Sequence, residues 1–156
     1  DKNFHLYLGW DYKWVRWGSV MWELSWLIEQ TKDKITFLWN LNTTQLKDFF
    51  SKLDVLVLPS IDPLESFWMV QVESMFNNTP VIASNMPWVN EVVNKTGFGY
   101  LTIPKSSADL AIQIEKMIQE KEKYRELRQN NTIKETVLKD FATEKTVWEY
   151  IKVFKI

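Results

Sequence analysis

Short apolar runs alternate with helically spaced apolar positions along most of this chain. Five runs have the length of a strand: FHLYLG from Phe4, ITFLW from Ile35, VLVLPS from Val55, PVIAS from Pro80 and GYLTI from Gly99. The middle three are continuously apolar, which is the pattern expected of parallel strands buried on both faces. The five runs therefore predict the strands of a parallel sheet.

Between these runs, apolar residues recur every three to four positions, as they do on one face of a helix. The repeats are Trp17, Met21, Leu24 and Ile28; Leu46, Phe49, Phe50 and Leu53; Met69, Val72, Met75 and Phe76; and Val147, Ile151 and Phe154. After Ile103 the pattern is helical, and Ser106 and Asp109 have the spacing of a helix cap. The alternation predicts an α/β fold, a single Rossmann-like domain over residues 1–156. We expect a parallel sheet of about five strands flanked by helices, and a C-terminal helical segment.

Composition narrows the classes of function. The 156 residues are 46% hydrophobic and 25% charged, with a formal net charge of −1. This fits a globular domain with a core and gives no sign of electrostatic capture of nucleic acid or of an anionic membrane. The chain has no cysteine and one histidine, His5, which excludes disulfides and metal sites built from these residues. No apolar run approaches the roughly 20 residues that span a bilayer, and we expect a cytoplasmic location.

In parallel α/β sheets, ligands bind beyond the carboxyl ends of the strands. The residues in those places are Gly9 to Asp11, Trp39 and Asn40, Pro59 to Glu65, and Ser84 to Glu91. Glu65 precedes the third predicted helix, near the dipole end that favours anions, and Glu73 lies on that helix. The Glu73 carboxylate could accept two ribose hydroxyls. The alternative is that both glutamates are solvated charges on the helix surface.

A series of short motifs surrounds this pair of glutamates. In order, they are Pro59-Ser60, Glu65-Ser66-Phe67, Glu73, Thr79-Pro80-Val81, Glu91 and Gly99. The series resembles the C-terminal, donor-binding domain of retaining GT-B glycosyltransferases of family 4, also called group 1. That family has Pro-Ser after a strand, Glu-x-Phe-Gly, a second Glu eight positions after the first, Gly-x-Pro-Val, Gly-Gly-x-x-Glu and a closing Gly-x-Leu. The resemblance is strong over residues 35–103 and loose elsewhere.

The resemblance implies roles in binding a nucleotide-sugar donor. Glu73 would bind the ribose hydroxyls, and Glu65, the candidate catalytic residue, would contact hydroxyls of the transferred sugar. The backbone N–H groups of Phe67, Trp68 and Met69 would face the sugar and the diphosphate at a helix start. No metal or cofactor would be required, because in this fold helix N-termini and cationic side chains hold the diphosphate.

Other parts of the donor site are matched less completely. Asn40 would border the base, and Glu91 stands in the place of the glutamate of Gly-Gly-x-x-Glu. The family domain begins with a further strand–helix unit that carries an Arg and a Lys for the diphosphate. Here that unit is absent or merged into the N-terminal segment, where Lys13 and Arg16 are the nearby cations.

The chain departs from the family where glycines let the backbone approach the donor. Trp10, Trp39, Trp68 and Trp88 stand at four such positions, and Asn78 stands at a fifth. Each indole can bury about 150–250 Å², so four of them at the ends of four strands could fill the donor cleft. We therefore predict that Trp68 contacts at least one of the other three. We also expect strain where a tryptophan occupies a former positive-φ position.

Trp22 and Trp26 lie four positions apart on the first predicted helix, opposite its apolar stripe. They could pack against a neighbouring element such as the C-terminal helix. Alternatively, they form a surface for self-association or for a membrane interface.

Two functions remain open. The first is the nucleotide-sugar binding domain of a glycosyltransferase, inactive alone because the N-terminal acceptor-binding domain is absent. The second is a non-catalytic or engineered α/β module whose donor cleft is filled by tryptophans and which acts as a scaffold or interaction domain. Titration with UDP- and GDP-sugars would distinguish the two.

Overall fold

The computed structural model describes residues 4–9, 23–38, 41–62, 68–129 and 131–141, with only the backbone of Trp68. The chain forms two compact units, residues 1–42 and 43–156. All five predicted strands are present: β1 Leu6–Gly9, β2 Ile35–Leu38, β3 Leu56–Leu58, β4 Val81–Ser84 and β5 Gly99–Thr102. The helices are α1 Ser25–Thr31, α2 Thr43–Lys52, α3 Trp68–Phe76, α4 Glu91–Thr96, α5 Ser107–Gln119, α6 Lys121–Gln129 and α7 Thr132–Phe141, with a short 3-10 helix at Lys32–Lys34.

The first unit contains a two-stranded parallel sheet. β1 pairs with β2 in a register that runs from Leu6 opposite Ile35 to Gly9 opposite Leu38. Every residue of β1 is exposed, and β2 is half-buried. Helix α1 buries none of its residues. This unit therefore has strands and a helix but little interior among the described residues.

The second unit contains a three-stranded parallel sheet in the order β3–β4–β5. Leu56 lies opposite Val81, and Val81 lies opposite Gly99. β4 is buried along its whole length because it has a neighbouring strand on each side and helices packed around it. The surrounding core consists of Val72, Met75 and Phe76 of α3, Val92 and Val93 of α4, Phe98 before β5, Met117 of α5, Tyr124 of α6, and Ile133 and Val137 of α7.

Two left-handed residues set the starts of β4 and β5. Asn78 has a φ of 60° shortly before β4. The buried Thr79 hydroxyl then donates to the carbonyl oxygen of Phe50 on α2. Helix α4 ends at Gly97, whose φ of 62° lets its N–H donate to the Val93 carbonyl oxygen at 2.8 Å. The two left-handed residues therefore mark the turns from which β4 and β5 begin.

The α/β class, with parallel strands flanked by helices, is confirmed, and the helices α5, α6 and α7 follow Ile103. The predicted repeat of Val147, Ile151 and Phe154 lies outside the described residues. The single sheet of about five strands needs a correction, because the described strands pair into one sheet of two and one of three. An apolar run of this length predicts a strand and does not identify the neighbouring strand. Of the three continuously apolar runs, β4 alone is fully buried, because β2 and β3 each have one strand neighbour among the described residues.

Candidate functional site

The carboxyl ends of β3, β4 and β5 meet at one edge of the three-stranded sheet, because the strands are parallel and paired in register. The loops that leave this edge include residues 59–62, 85–90 and 103–106. A cavity of about 260 Å³ opens there. It is lined by Pro59, Ile61, Ser84, Thr102, Ile103, Lys105, Ser106, Ser107 and Leu110. The ends of three strands and the start of α5 therefore surround one space.

Asp109 ties the start of α5 to the end of β5. Its carboxylate accepts hydrogen bonds from the Ile103 N–H at 2.8 Å and from the Thr102 hydroxyl at 2.9 Å. The Ser106 hydroxyl accepts from the Asp109 N–H at 3.2 Å, which confirms the predicted helix cap. The Ile103 N–H, followed by the Thr102 hydroxyl, lowers the pKa of Asp109 below its ordinary value. A charged carboxylate thus holds one wall of the cavity in place.

The loop after β4 is anchored on both sides. The side chain of Gln71 on α3 is fully buried, and its Nε2 donates to the Val89 carbonyl oxygen at 2.8 Å. Asn90 Nδ2 donates to Asn85 Oδ1 at 2.8 Å across the loop. The side chains of Met86 and Val89 are both buried. The backbone between them is therefore held by the core as well as by polar contacts.

Trp88 stands in this anchored loop with a φ of 67°, and its side chain is 69% exposed. Asn78, at another position where the family has glycine, has a φ of 60°. The expectation that these glycine positions need a positive φ is therefore confirmed at both residues. A side chain that filled the donor cleft together with other indoles would be largely buried, and Trp88 is not.

The structure describes less of the other three tryptophans that were expected to fill the donor cleft. Trp68 is the first residue of α3, and the strain expected there stays a prediction. Its side chain, together with Trp10 and Trp39, lies outside the described residues. Contact between Trp68 and the other three therefore stays a prediction.

Four of the predicted site residues lie on helices that follow β3 and β4: Trp68, at the start of α3, and Met69, Glu73 and Glu91. Glu73 is half-buried in the second turn of α3, and its backbone carbonyl oxygen accepts from the Asn77 side chain at 2.8 Å. The Met69 side chain packs against the core, so the residue contributes to the helix start only through its backbone. Glu91 is exposed at the first position of α4, where the helix dipole favours a carboxylate. α3 and α4 pack against each other, which places these residues in one region of the second unit.

The remaining predicted residues, Glu65, Phe67 and Asn40, lie outside the described residues, as do Lys13 and Arg16. Their roles stay predictions.

The sequence analysis missed one polar residue near this edge, Gln71, and assigned no separate role to another, Ser60. Gln71 lies within an otherwise apolar stretch of α3 and positions the loop that carries Trp88. A polar residue at a helix position that faces the core was the signal for it. Ser60 entered only as part of the Pro-Ser motif. It is 6% exposed, and its hydroxyl has no hydrogen-bond partner among the described residues.

Trp26 on α1 is 62% exposed, and Leu24 of the predicted apolar stripe is 43% exposed. Trp22 lies outside the described residues, and a surface formed by the two tryptophans stays a prediction. Within the described ranges, no helix has the length and apolar character to cross a membrane. The same ranges hold no group of three or more His, Asp or Glu side chains that could bind a metal ion.

Comparison with known proteins gives a family. The model of the family described as glycosyl transferases group 1 matches residues 23–134, which is more than half of the chain. The O-antigen chain mannosyltransferase RfbU of Salmonella typhimurium is 45% identical over 64 residues, which cover 41% of this chain and 18% of that protein. An uncharacterized glycosyltransferase of Methanocaldococcus jannaschii is 28% identical over 125 residues, covering 80% of this chain and 31% of that protein. The matched region spans less than a third of the length of either relative.

Solved structures show the same fold. Sucrose-phosphate synthase of Thermosynechococcus elongatus aligns with a TM-score of 0.72 at 24% identity, covering 96% of this chain and 37% of that one. HepE of Anabaena, solved in complex with UDP and glucose, aligns with a TM-score of 0.67 at 22% identity, covering 86% of this chain and 36% of that one.

Proposed function

Because the chain belongs to the glycosyl transferases group 1 family, we propose that it is the nucleotide-sugar binding part of a glycosyltransferase and does not transfer sugar alone. One observation carries the proposal. The family match includes the whole carboxyl edge of the three-stranded sheet, with its three loops and helix α3. HepE, which shares the fold, was solved with UDP and glucose. The donor would bind at this edge of the sheet.

Helix α3 has two features that suit a nucleoside diphosphate sugar. The first N–H groups of a helix have no partner within the helix, and they lie at the positive end of its dipole. The start of α3 at Trp68 would therefore bind the diphosphate. Glu73, in the second turn, would accept hydrogen bonds from the two ribose hydroxyls.

The remaining contacts follow from the order of the motifs. Glu65, which precedes α3 in the sequence, would hold hydroxyls of the transferred sugar close to the bond that breaks between sugar and diphosphate. Glu91 at the start of α4 would add an acceptor for the donor, and Asn40 would border the base. A retaining transfer also needs an acceptor bound opposite the donor. The matched region spans less than a third of the length of either curated relative. The acceptor-binding part would therefore lie outside the matched region.

Calorimetric titration of the full chain with UDP, UDP-glucose, GDP and GDP-mannose tests the proposal. We expect one pair to bind and Glu73→Ala to weaken binding by about 1–3 kcal/mol, or about five- to 150-fold, because two ribose hydroxyls lose their acceptor. Glu126→Ala, which removes an exposed carboxylate on α6, is the matched control and should leave the affinity unchanged. Equal affinities for Glu73→Ala and the unchanged chain would remove Glu73 from the site.

Turnover by the chain alone provides a second test. We expect no sugar transfer and little hydrolysis of either sugar nucleotide. Turnover that copurifies with the chain and disappears in Glu65→Ala would show that the donor-binding part is sufficient for catalysis.

A further inference from the structure

Trp88 holds a backbone conformation that glycine adopts more easily. Its φ of 67° lies in the left-handed region, where a bulky side chain is unusual and strained. Such strain persists only where the surrounding structure enforces it, and it clusters at ligand-binding sites. Burial does not offset the strain here, because the indole is 69% exposed.

The backbone of the loop around Trp88 is anchored on both sides of the residue. The next residue, Val89, is 2% exposed, and its carbonyl oxygen accepts a 2.8 Å hydrogen bond from Gln71. Asn85 and Asn90 close the loop through their side chains at 2.8 Å. A loop that is already anchored loses little backbone freedom when a ligand binds, which favours affinity.

The position of Trp88 also matters. It follows β4, and the loops after β3 and β5 each carry an exposed isoleucine: Ile61 is 58% exposed and Ile103 is 62% exposed. Three successive strand ends thus present large apolar side chains to solvent at the edge where parallel α/β sheets bind ligands. Exposed apolar residues at the edge where ligands bind favour a binding function for that edge.

We propose that Trp88 is a stacking platform for the pyranose ring of the sugar bound at this edge, an inference that rests on the proposed function. A pyranose has one face of C–H groups and a rim of hydroxyls. The electron-rich face of an indole attracts the weakly positive C–H groups and shields them from water. Glu91, exposed at the start of α4, offers an acceptor for the hydroxyl rim. Trp88 therefore binds the sugar rather than the nucleotide.

The test separates these two parts of the donor. UDP, UDP-glucose, GDP and GDP-mannose are titrated into the unchanged full chain, Trp88→Gly, Trp88→Phe and Trp26→Ala. The measured quantity is the ratio of the Kd of the nucleotide to the Kd of its sugar conjugate. We expect Trp88→Gly to lower this ratio about three- to tenfold with little change in nucleotide affinity. Trp88→Phe should retain most of the ratio. Trp26→Ala removes a similarly exposed indole from α1 and should retain all of it.

The outcomes that overturn the inference differ from those that overturn the proposed function. An unchanged ratio in Trp88→Gly, with binding intact, refutes the platform alone. Equal loss of nucleotide and sugar conjugate assigns Trp88 to the nucleotide and also refutes it. Trp88→Gly could instead convert a self-associating chain into monomers without changing the ratio of the two Kd values. In that case the indole contacts a second copy of the chain, and the platform is wrong. If no nucleotide binds the unchanged chain, the proposed function fails and the inference fails with it. Glycine suits the φ of this position, so folding of Trp88→Gly is preserved.

Discussion

The two parallel sheets are both built from short, mainly apolar strands, but their burial is very different. β1 and β2 pair over four positions in the first unit, and β4 and β5 pair over four positions in the second. Leu6 is 41% exposed and Tyr7 is 44% exposed, whereas Val81 and Ile82 are completely buried. An apolar run of strand length therefore predicts a strand. How deeply that strand is buried depends on what covers its two faces.

The covering layers explain the difference. Helices α3, α4, α5 and α7 contribute buried residues to the core around β4. Helix α1 has no buried residue, and every residue of β1 is exposed. The three-stranded sheet also lies wholly within the family match, whereas β1 lies before it. The candidate site belongs to the sheet that has a core, and this suits a site that must hold its groups in fixed positions.

Glycine-to-alanine substitutions should show the largest difference in stability between the two sheets. Gly99 has a φ of 155° opposite Val81, and a Cβ there would lie 1.8 Å from the Val81 carbonyl oxygen. Because this neighbour is backbone of the central strand, Gly99→Ala should cost more than about 4 kcal/mol of unfolding free energy. Urea denaturation measures the cost.

Two further glycines serve as controls for Gly99→Ala. Gly97 has a φ of 62° with open space around its Cβ position, so Gly97→Ala should cost about 1 kcal/mol through backbone strain alone. Gly9 in β1 has no left-handed φ and no described atom close to its Cβ position, so Gly9→Ala should stay within about 0.5 kcal/mol. Similar costs at Gly99 and Gly9 would show that the two sheets are equally tolerant, contrary to our account.

A pair of large-to-small changes should give the next largest difference. Ile82 is completely buried in the central strand, so Ile82→Ala should cost about 3 kcal/mol by leaving a cavity. Leu6 is 41% exposed in β1, so Leu6→Ala should cost about 1 kcal/mol or less. The unfolding free energies of both variants are compared in urea. Hydrogen exchange in peptides from each sheet then shows which unit is weakened. Equal costs would mean that β1 is covered in solution.

The fold class was predicted well because it depends on the spacing of apolar residues along the chain. All five strands and the cap at Ser106 were readable from local spacing. The pairing into two sheets was not readable, because alternating strands and helices do not specify which strands are neighbours. Helix α4 was not predicted either. It is a short helix, Glu91–Thr96, whose buried Val92 and Val93 are too few to make a repeat.

The candidate site was predictable in outline and not in detail. The edge of the sheet followed from the parallel direction of the strands, and the positive φ at Asn78 and Trp88 followed from the glycine positions of the family. The exposure of Trp88 did not follow, because a sequence does not show which way a large side chain points. The contact from Gln71 to the Val89 carbonyl oxygen joins a helix to a loop through tertiary structure, and no local pattern encodes it.

The smallest expected effect concerns the charge that fixes the end of β5. The pKa of Asp109 is lowered in the folded chain by the Ile103 N–H and the Thr102 hydroxyl. A group of this kind stabilises the fold above the ordinary carboxyl pKa of about 3.9, and its contribution is lost as the pH falls through the lowered value. Stability of the second unit should therefore decrease on acidification partly through Asp109.

Asp109→Asn tests this dependence and sharpens the contrast between the two sheets. The variant should be less stable than the unchanged chain at pH 7, and the difference should shrink as the pH falls below about 4. Urea midpoints from pH 7 to pH 2.5 measure it, with Asp33→Asn in the first unit as the matched control. Hydrogen exchange should quicken around residues 102–110 in Asp109→Asn and stay unchanged in β1 and β2. A difference that persists at the lowest pH would mean that Asp109 acts through its shape and neutral hydrogen bonds, not through its charge.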